Sequence, residues 1–207
     1  MKSSRKRVFY NDLNFEISED VYEPAEDTIL IADCLSHVVE EGDRVLDVGT
    51  GCGILAVIAA NKARKVVATD VNPHAVECAK LNTEINRVAS KTDVRLGSLF
   101  QPIRKTERFD VIIFNAPYLP SSPSEGKSWI GRAWAGGLKG RQLIDQFIKE
   151  ASLYLNRDGT ILLVQSSLAD ISQSLEKLQD AGYTARVIAE TKVPFETIVV
   201  IRASHLS

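Results

Sequence analysis

The sequence predicts an α/β fold, in which helices cover both faces of a mostly parallel sheet. Apolar runs typical of buried strands alternate with stretches of helical spacing between residues 22 and 180. A glycine-rich segment at residues 49–53 follows the first of these strands, at the edge where open α/β sheets hold their ligands. Two final apolar runs without a helix between them predict an antiparallel hairpin at one edge of the sheet.

The predicted elements follow a regular order along the chain. Residues 1–20 are expected to form an extended N-terminal arm. The first helix begins near Pro24 and runs to about Val39, because proline and acidic residues favour a first helical turn. The predicted strands are residues 44–48, 65–69, 93–96, 109–114, 160–165, 184–188 and 195–201. The further helices are residues 54–60, 73–85, 141–155 and 168–180, and residues 119–139 are predicted to be a long loop.

Composition and charge narrow the functions that remain open. A chain of 207 residues suits one large domain, so we expect residues 1–207 to form a single unit. The formal net charge of −2 argues against a protein whose whole surface binds nucleic acid. No apolar stretch approaches the roughly 18 residues of a membrane span, and the N-terminus lacks the apolar core of a signal peptide. We therefore expect no contact with membranes.

The cysteines and histidines show no spacing that indicates a metal site or a disulfide framework. Cys34, Cys52 and Cys78 are widely separated and odd in number, which favours a reducing, cytoplasmic location. The histidines show neither an HxxxH spacing nor a grouping with cysteine, so no protein-bound metal is expected.

The glycine-rich segment and its flanking acids predict the cofactor. Gly49, Gly51 and Gly53 would let a ligand approach the backbone and the free N–H groups at the start of the next helix. Their spacing fits the dinucleotide pattern G-x-G-x-x-G/A only weakly. Asp47 would repel a pyrophosphate but suits a ligand with ammonium and sulfonium groups, and Asp70 is placed to accept hydrogen bonds from ribose hydroxyls. The set points to S-adenosylmethionine, with a structural turn as the alternative.

A second candidate for a functional segment is the tetrapeptide Asn115-Ala116-Pro117-Tyr118. It follows an apolar run at residues 111–114, so an amide, two residues with restricted backbones and a phenol lie where a buried strand ends. Asn and Pro are also ordinary turn residues. On these four residues alone, a plain loop and an active site are equally open.

Together with its other motifs, the chain resembles the class I methyltransferases. Asn115-Ala116-Pro117-Tyr118 is similar to the Asn-Pro-Pro-Tyr signature of enzymes that methylate planar amino groups. Residues 22–28, Tyr-Glu-Pro-Ala-Glu-Asp-Thr, and residues 132–137, Arg-Ala-Trp-Ala-Gly-Gly, resemble the archaeal and eukaryotic branch of the release-factor glutamine methyltransferases. The resemblance runs from about Tyr22 to the C-terminus and implies a Rossmann-like domain with a seven-stranded sheet.

The resemblance also implies an acceptor and a set of cofactor contacts. The acceptor would be the glutamine of a Gly-Gly-Gln segment in a peptide chain release factor. The side-chain oxygen of Asn115 and the carbonyl of Ala116 would each accept one hydrogen from the glutamine NH2, and Tyr118 would stack on the amide. Together with the residues argued above, the expected cofactor contacts are Tyr22, Pro24, Thr28, Asp47, Gly49, Gly51, Gly53, Asp70, Ser98, Leu99 and Asn115.

Two positions depart from the pattern of this family. Ser98, followed by Leu99, stands where the family usually has an acid beside the adenine, so we expect some weakening of cofactor binding. Ala116 replaces the first proline of the signature, but it offers the same carbonyl, and Pro117 biases it toward extended geometry. We expect the geometry to be kept while rigidity falls.

The resemblance further implies a partner. Eukaryotic members of the family pair with a small zinc-binding activator protein. If the strand order follows the family, the third predicted strand, residues 93–96, lies at a sheet edge, and a bare edge invites a partner strand. We therefore expect the activator to pair there.

Other functions and roles remain open at this point. The chain could be an adenine N6-methyltransferase acting on DNA or RNA, a lysine methyltransferase, or a non-catalytic protein that binds S-adenosylmethionine. In the long loop, Arg132, Trp134 and Lys139 fit loop anchoring and recognition of the Gly-Gly-Gln segment equally well.

Overall fold

A computed structural model of the chain describes residues 5–122 and 125–205; residues 1–4 of the predicted arm lie outside that range. The strands are β1 Lys6–Tyr10, β2 Leu13–Ile17, β3 Arg44–Val48, β4 Lys65–Asp70, β5 Thr92–Leu96, β6 Phe109–Asn115, β7 Leu155–Ser166, β8 Tyr183–Val193 and β9 Glu196–His205. The α-helices are α1 Glu26–Val38, α2 Ile54–Lys62, α3 Pro73–Ile85, α4 Trp129–Trp134, α5 Gln142–Ala151 and α6 Ile171–Asp180.

Seven strands form one sheet, in the order β5-β4-β3-β6-β7-β9-β8. β3 to β7 are parallel, whereas β9 runs antiparallel to both of its neighbours, β7 and β8. α1, α2 and α3 pack beside one another, α5 packs against α6, and the two groups cover the faces of the sheet. The predicted fold is confirmed, including the antiparallel C-terminal hairpin and the edge position of the third predicted strand, β5.

The central strands are apolar along their length because helices cover both faces of the sheet. Leu46 in β3, Ile112 in β6 and Leu162 in β7 are all fully buried. Since parallel strands end at one edge of the sheet, the residues that follow β3, β4 and β6 are brought together there. This edge therefore gathers the glycine-rich segment, Asp70 and the tetrapeptide.

Where the sequence predicts an extended arm, residues 6–17 form a β-hairpin whose turn contains Asn11 at φ 48°. The free edge of β2 is closed by two side-chain amides, one in the last turn of α3 and one on the residue that follows it. Asn82 accepts the Glu16 N–H at 2.8 Å and donates to the Glu16 carbonyl at 2.9 Å, and Asn86 does the same for Asn14 at 3.2 and 2.9 Å. These amides replace a third strand and fix the segment that leads into α1.

Several predicted boundaries are wrong: the fifth predicted strand begins at Leu155 rather than at residue 160, and the last predicted helix begins at Ile171 rather than at residue 168. The predicted loop at residues 119–139 contains α4, whose first turn is capped by Ser128: its side-chain oxygen accepts the Gly131 N–H at 2.9 Å. The helix predicted to reach residue 155 ends at Ala151, because Leu155 already pairs with Phe109 as the start of β7. The last two strands are longer than predicted, since their pairing continues over almost their whole length.

Candidate active site

A cavity of about 390 Å³ opens at the carboxyl ends of β3, β4 and β6. The predicted site residues that line it are Tyr22, Pro24, Thr28, Gly49, Gly51, Asp70, Ser98, Leu99, Asn115, Ala116, Pro117 and Tyr118. Asp47 and Gly53 are not among its lining residues. The fold thus brings the glycine-rich segment, the acid after β4 and the tetrapeptide to one space.

Gly53 packs two helices together rather than facing the cavity. It has a positive φ of 86°, and a Cβ at this position would lie 2.9 Å from the Cα of Ala79 in α3. A side chain here would push α2 away from α3. The third glycine of the segment therefore sets the position of the helix that follows it.

Asp70 holds the glycine-rich segment through hydrogen bonds to the backbone. One carboxylate oxygen accepts the Gly51 N–H and the other accepts the Asn72 N–H, both at 2.8 Å. Burial raises the pKa of Asp70, although these two bonds act in the opposite direction. Because a carboxylate offers about four acceptor positions, both oxygens keep capacity for a ligand at the cavity.

Asp47 lies beneath the glycine-rich segment and is completely buried. Its Oδ2 accepts the hydroxyl proton of Thr50 at 2.6 Å, whereas its Oδ1 has no hydrogen-bond partner. Burial, together with the nearby charge of Asp70, raises the pKa of Asp47 from 3.8 to about 7. A buried acceptor without a partner and with a raised pKa is the electrostatic counterpart of a cationic ligand.

The turn after β5 supplies uncharged groups to the cavity. Leu99 has a positive φ of 47° and a carbonyl that accepts the Thr69 hydroxyl proton at 3.2 Å. Leu99 is buried, and Ser98 beside it is partly exposed. Where the resemblance led us to expect an acid, the cavity is therefore bordered by an apolar side chain, a hydroxyl and backbone groups.

The side chain of Asn115 is oriented by a carboxylate from α1. Its Nδ2 donates to Asp27 Oδ2 at 3.1 Å and to Thr28 Oγ1 at 3.2 Å, while its Oδ1 is buried without a partner. The opposite orientation of the amide would place an oxygen against the carboxylate of Asp27. The amide therefore keeps its acceptor, not its donor, available for a further hydrogen bond.

Two tyrosines lie next to the carboxylate that holds this amide. The hydroxyls of Tyr118 and Tyr22 lie 3.4 and 3.5 Å from the carboxylate of Asp27. Burial raises the pKa of both tyrosines well above the ordinary value, and the charges of Asp27 and Glu196 add to the shift. Both phenols therefore stay protonated near neutral pH and serve as donors.

The backbone of the tetrapeptide is packed against glycines from the loop after α4. A Cβ at Gly136 would lie 2.6 Å from the carbonyl oxygen of Pro117, and one at Gly140 would overlap the carbonyl of Tyr118. Gly136 also donates its N–H to the Leu119 carbonyl at 2.8 Å. This close packing holds the tetrapeptide although its second residue is alanine.

The structure separates the three loop residues that the sequence singled out. Arg132 and Trp134 line the cavity, whereas Lys139 does not. The guanidinium of Arg132 lies 4.8 Å from the ring centre of Trp129, and its Nε donates to the Gly126 carbonyl at 3.0 Å. Arg132 thus anchors the loop while bordering the cavity.

Sequence reasoning missed Asp27 as a lining residue of the site, and it missed Glu196 as a charge that acts on Tyr22 and Tyr118. Asp27 lies within the segment at residues 22–28 that carries the resemblance, so its acidic side chain was an available signal. Glu196 begins β9, and its Oε2 is buried without a partner. No sequence pattern around Glu196 indicated this position, because only the register of the final hairpin brings it near the two tyrosines.

The strand order, the glycine-rich segment after β3 and the cavity beside it define a class I methyltransferase. A family model described as ribosomal protein L11 methyltransferase (PrmA) matches residues 26–116, the part from α1 to the second residue of the tetrapeptide. This match covers the glycine-rich segment and both acids that flank it.

Relatives that match almost the whole chain define the family more closely. A Methanocaldococcus jannaschii protein named as a putative protein N5-glutamine methyltransferase is 39% identical over 94% of this chain and 96% of its own length. Human methyltransferase HEMK2 is 32% identical over 88% and 89% of the two chains. A chain of the E. cuniculi Mtq2–Trm112 complex, which methylates the termination factor eRF1, has a TM-score of 0.72, 27% identity, and coverage of 90% and 99%. The chain belongs to the protein N5-glutamine methyltransferase family.

Proposed function

We propose that this protein transfers a methyl group from S-adenosylmethionine to the side-chain amide nitrogen of glutamine in the Gly-Gly-Gln segment of a release factor. The observation that carries the proposal is the amide of Asn115, whose nitrogen is held by Asp27 and whose buried oxygen has no partner. The names of the relatives supply the acceptor class, and the methylation of eRF1 by the Mtq2–Trm112 complex supplies the kind of protein that bears it.

The residues at the glycine-rich end of the cavity fit S-adenosylmethionine. When bound, this cofactor supplies an electrophilic methyl group on a sulfonium centre. The unpartnered Oδ1 of Asp47 fits a cationic group above the glycines, and the free acceptor positions of Asp70 fit hydroxyl donors. Ser98 and Leu99 would border a flat heterocycle without a charged contact. Tyr22, Pro24 and Thr28 would close the cavity from the side of α1.

The tetrapeptide would fix the acceptor nitrogen. A glutamine amide is a poor nucleophile because its lone pair is delocalised, so the protein must supply position and a favourable field. Asn115 Oδ1 and the Ala116 carbonyl would each accept one N–H, and Tyr118 would pack on the amide plane. Pro117 biases Ala116 toward extended geometry. These uncharged acceptors favour positive charge on the nitrogen as the methyl group is transferred.

The proposal is tested by locating the methyl group. The purified protein is incubated with isotope-labelled S-adenosylmethionine and either an intact release factor or a peptide that contains Gly-Gly-Gln. A matched peptide with Gly-Gly-Glu keeps the carbon skeleton but lacks the acceptor nitrogen. Tandem mass spectrometry should place one methyl group on the glutamine side chain and none on the control. Label found only on lysine, or only on adenine in added DNA, would contradict the proposal.

We further propose that the protein acts in the cytoplasm during translation termination, as a single unit with a small partner at β5. The edge position of β5, where Leu96 is exposed, and the exposure of Val71 just after the neighbouring β4 support the partner. The Mtq2–Trm112 complex shows that one relative assembles with a second protein. Within residues 5–122 and 125–205, the chain contains no helix long and apolar enough to cross a membrane.

A further inference from the structure

We infer that Asp27 is a positioning residue for methyl transfer: it fixes which end of the Asn115 amide faces the acceptor and strengthens that end as an acceptor. The inference rests on the proposed function, because it assigns a role to a residue next to the proposed acceptor. It does not require Asp27 to touch the acceptor or to take up a proton.

The geometry around Asp27 permits one orientation of Asn115. Asp27 Oδ1 accepts the Thr28 N–H at 2.6 Å and the Thr28 hydroxyl proton at 3.1 Å. The other carboxylate oxygen, Oδ2, therefore faces Asn115 at the end of β6. Oδ2 accepts from Asn115 Nδ2 at 3.1 Å. Turning the amide would bring two acceptors together in a buried site, which is strongly unfavourable.

The same contact strengthens the free oxygen of Asn115. An amide N–H that donates to an anion shifts electron density toward its own carbonyl oxygen, and hydrogen bonds in a chain reinforce one another in a low-dielectric site. Asp27 is 5% exposed, so water screens its charge weakly. The carboxylate therefore acts through Asn115 on the acceptor nitrogen, which becomes more positive during transfer.

The substitution Asp27→Asn tests this role because it keeps size and removes charge. Thr28 N–H still requires an oxygen, so the new amide would present its NH2 to the NH2 of Asn115. Asn115 would then turn and direct its own NH2 toward the acceptor NH2. We expect kcat on the Gly-Gly-Gln peptide to fall by about 10- to 100-fold. KM for the peptide and Kd for S-adenosylmethionine should change much less.

The double variant Asp27→Asn with Asn115→Asp distinguishes positioning from packing. In it, an amide at position 27 donates to a carboxylate at position 115, whose second oxygen again offers an acceptor. We expect the double variant to recover activity relative to Asp27→Asn alone, which makes the two substitutions non-additive. A role in packing alone predicts that the two losses multiply. Asp33→Asn, an exposed acid on the same helix that binds the Tyr10 hydroxyl, is the matched control and should keep the wild-type kcat.

A readout without substrate keeps this inference separate from the proposed function. The side-chain NH2 signal of Asn115, assigned by its loss in Asn115→Ala, should show slow hydrogen exchange in the wild type and fast exchange in Asp27→Asn. If the wild type fails to methylate glutamine but the exchange rates differ as stated, the proposed function falls and the orienting contact stands. Equal exchange rates, or a wild-type kcat for Asp27→Asn, would overturn the inference.

Discussion

Asn115 and Asp70 line the same cavity from the ends of different strands. In the proposed function, Asn115 binds the methyl acceptor and Asp70 binds the cofactor. Asn115 offers one side-chain oxygen, whereas Asp70 offers a carboxylate and also holds the backbone of Gly51. We expect Asn115→Ala to lower kcat by about 10²- to 10³-fold while cofactor binding largely survives. Asp70→Ala should instead weaken cofactor binding by about 10- to 100-fold. Calorimetry with S-adenosylmethionine checks both, and equal losses of affinity in the two variants would contradict these roles.

Asp47 predicts a pH dependence of cofactor binding. Its pKa is raised to about 7, so it is partly protonated near neutral pH, and only its deprotonated form attracts a cation bound above the glycines. Affinity for S-adenosylmethionine should therefore fall as the pH drops below about 7, approaching about tenfold per pH unit. Burial also raises the pKa of Asp70, which acts in the same direction.

In the unliganded protein, Asp47 makes the folding stability depend on pH in the opposite direction. A raised pKa favours the protonated folded state, so this contribution to stability is complete below about pH 4 and is lost as the pH rises through about 7. Asp47→Asn is the control for both effects: it should bind the cofactor weakly, with much less dependence on pH. Wild-type affinity that stays constant between about pH 6 and 8 would refute the assignment.

The positions of single site residues were predictable where a polar residue directly follows a predicted strand. Asp70 and Asn115 each close an apolar run, and their placement at the cavity follows from the parallel sheet. That Asp47 lies below the cavity rather than at its surface was not predictable, because burial depends on packing of the following helix. Glu196 depends on strand register over a long stretch of chain, which no local pattern encodes.

At the scale of elements, the amides at the end of α3 fix the N-terminal hairpin to the body of the protein. Asn82 is fully buried and serves the N–H and carbonyl of Glu16 and the carbonyl of Cys52. Asn82→Ala removes these three hydrogen bonds, so the free energy of unfolding should fall by about 1–3 kcal/mol. Urea denaturation measures this loss. Asn61→Ala, which removes one partly buried hydrogen bond to Val57, is the control and should change stability by less than about 0.5 kcal/mol.

The tetrapeptide depends on a neighbouring loop in a way that can be measured. Gly140 has a positive φ of 68°, and a side chain there would displace the backbone of Tyr118. Gly140→Ala should therefore lower kcat while the Kd for S-adenosylmethionine changes little. Gly42→Ala, where an added Cβ meets nothing within 4 Å, is the control. Loss of cofactor binding in Gly140→Ala, without loss of turnover, would contradict this view.

The helix α4 shows the limit of prediction at this scale. Six residues are too short for a helical period to stand out, so residues 129–134 were predicted to be loop. A capping serine was present at position 128, but its meaning depends on the turn that follows. The long, buried strands were predictable because apolar runs of that kind are typical of strands covered on both faces.

At the scale of the whole molecule, the sheet has two edge strands, β5 and β8, and the proposed partner distinguishes them. Leu96 in β5 is 57% exposed, so Leu96→Asp should leave the fold intact while weakening the complex with a Trm112-like protein. Val187→Asp, on the opposite edge strand and 36% exposed, is the matched control and should leave that complex unchanged. Co-purification measures both complexes. Equal retention of the partner by the two variants would exclude β5 as its docking edge.

The contact between Asp27 and Asn115 joins positions 88 residues apart. Glu196, whose charge acts on Tyr22 and Tyr118, comes later still in the chain. During synthesis on the ribosome, Asp27 is therefore made well before Asn115. A nascent chain that has emerged only as far as the glycine-rich segment contains part of the proposed cofactor site but lacks the acceptor site. Competence for methyl transfer should thus arise only after the last hairpin has emerged, so stalled or prematurely terminated products would be inert rather than indiscriminate.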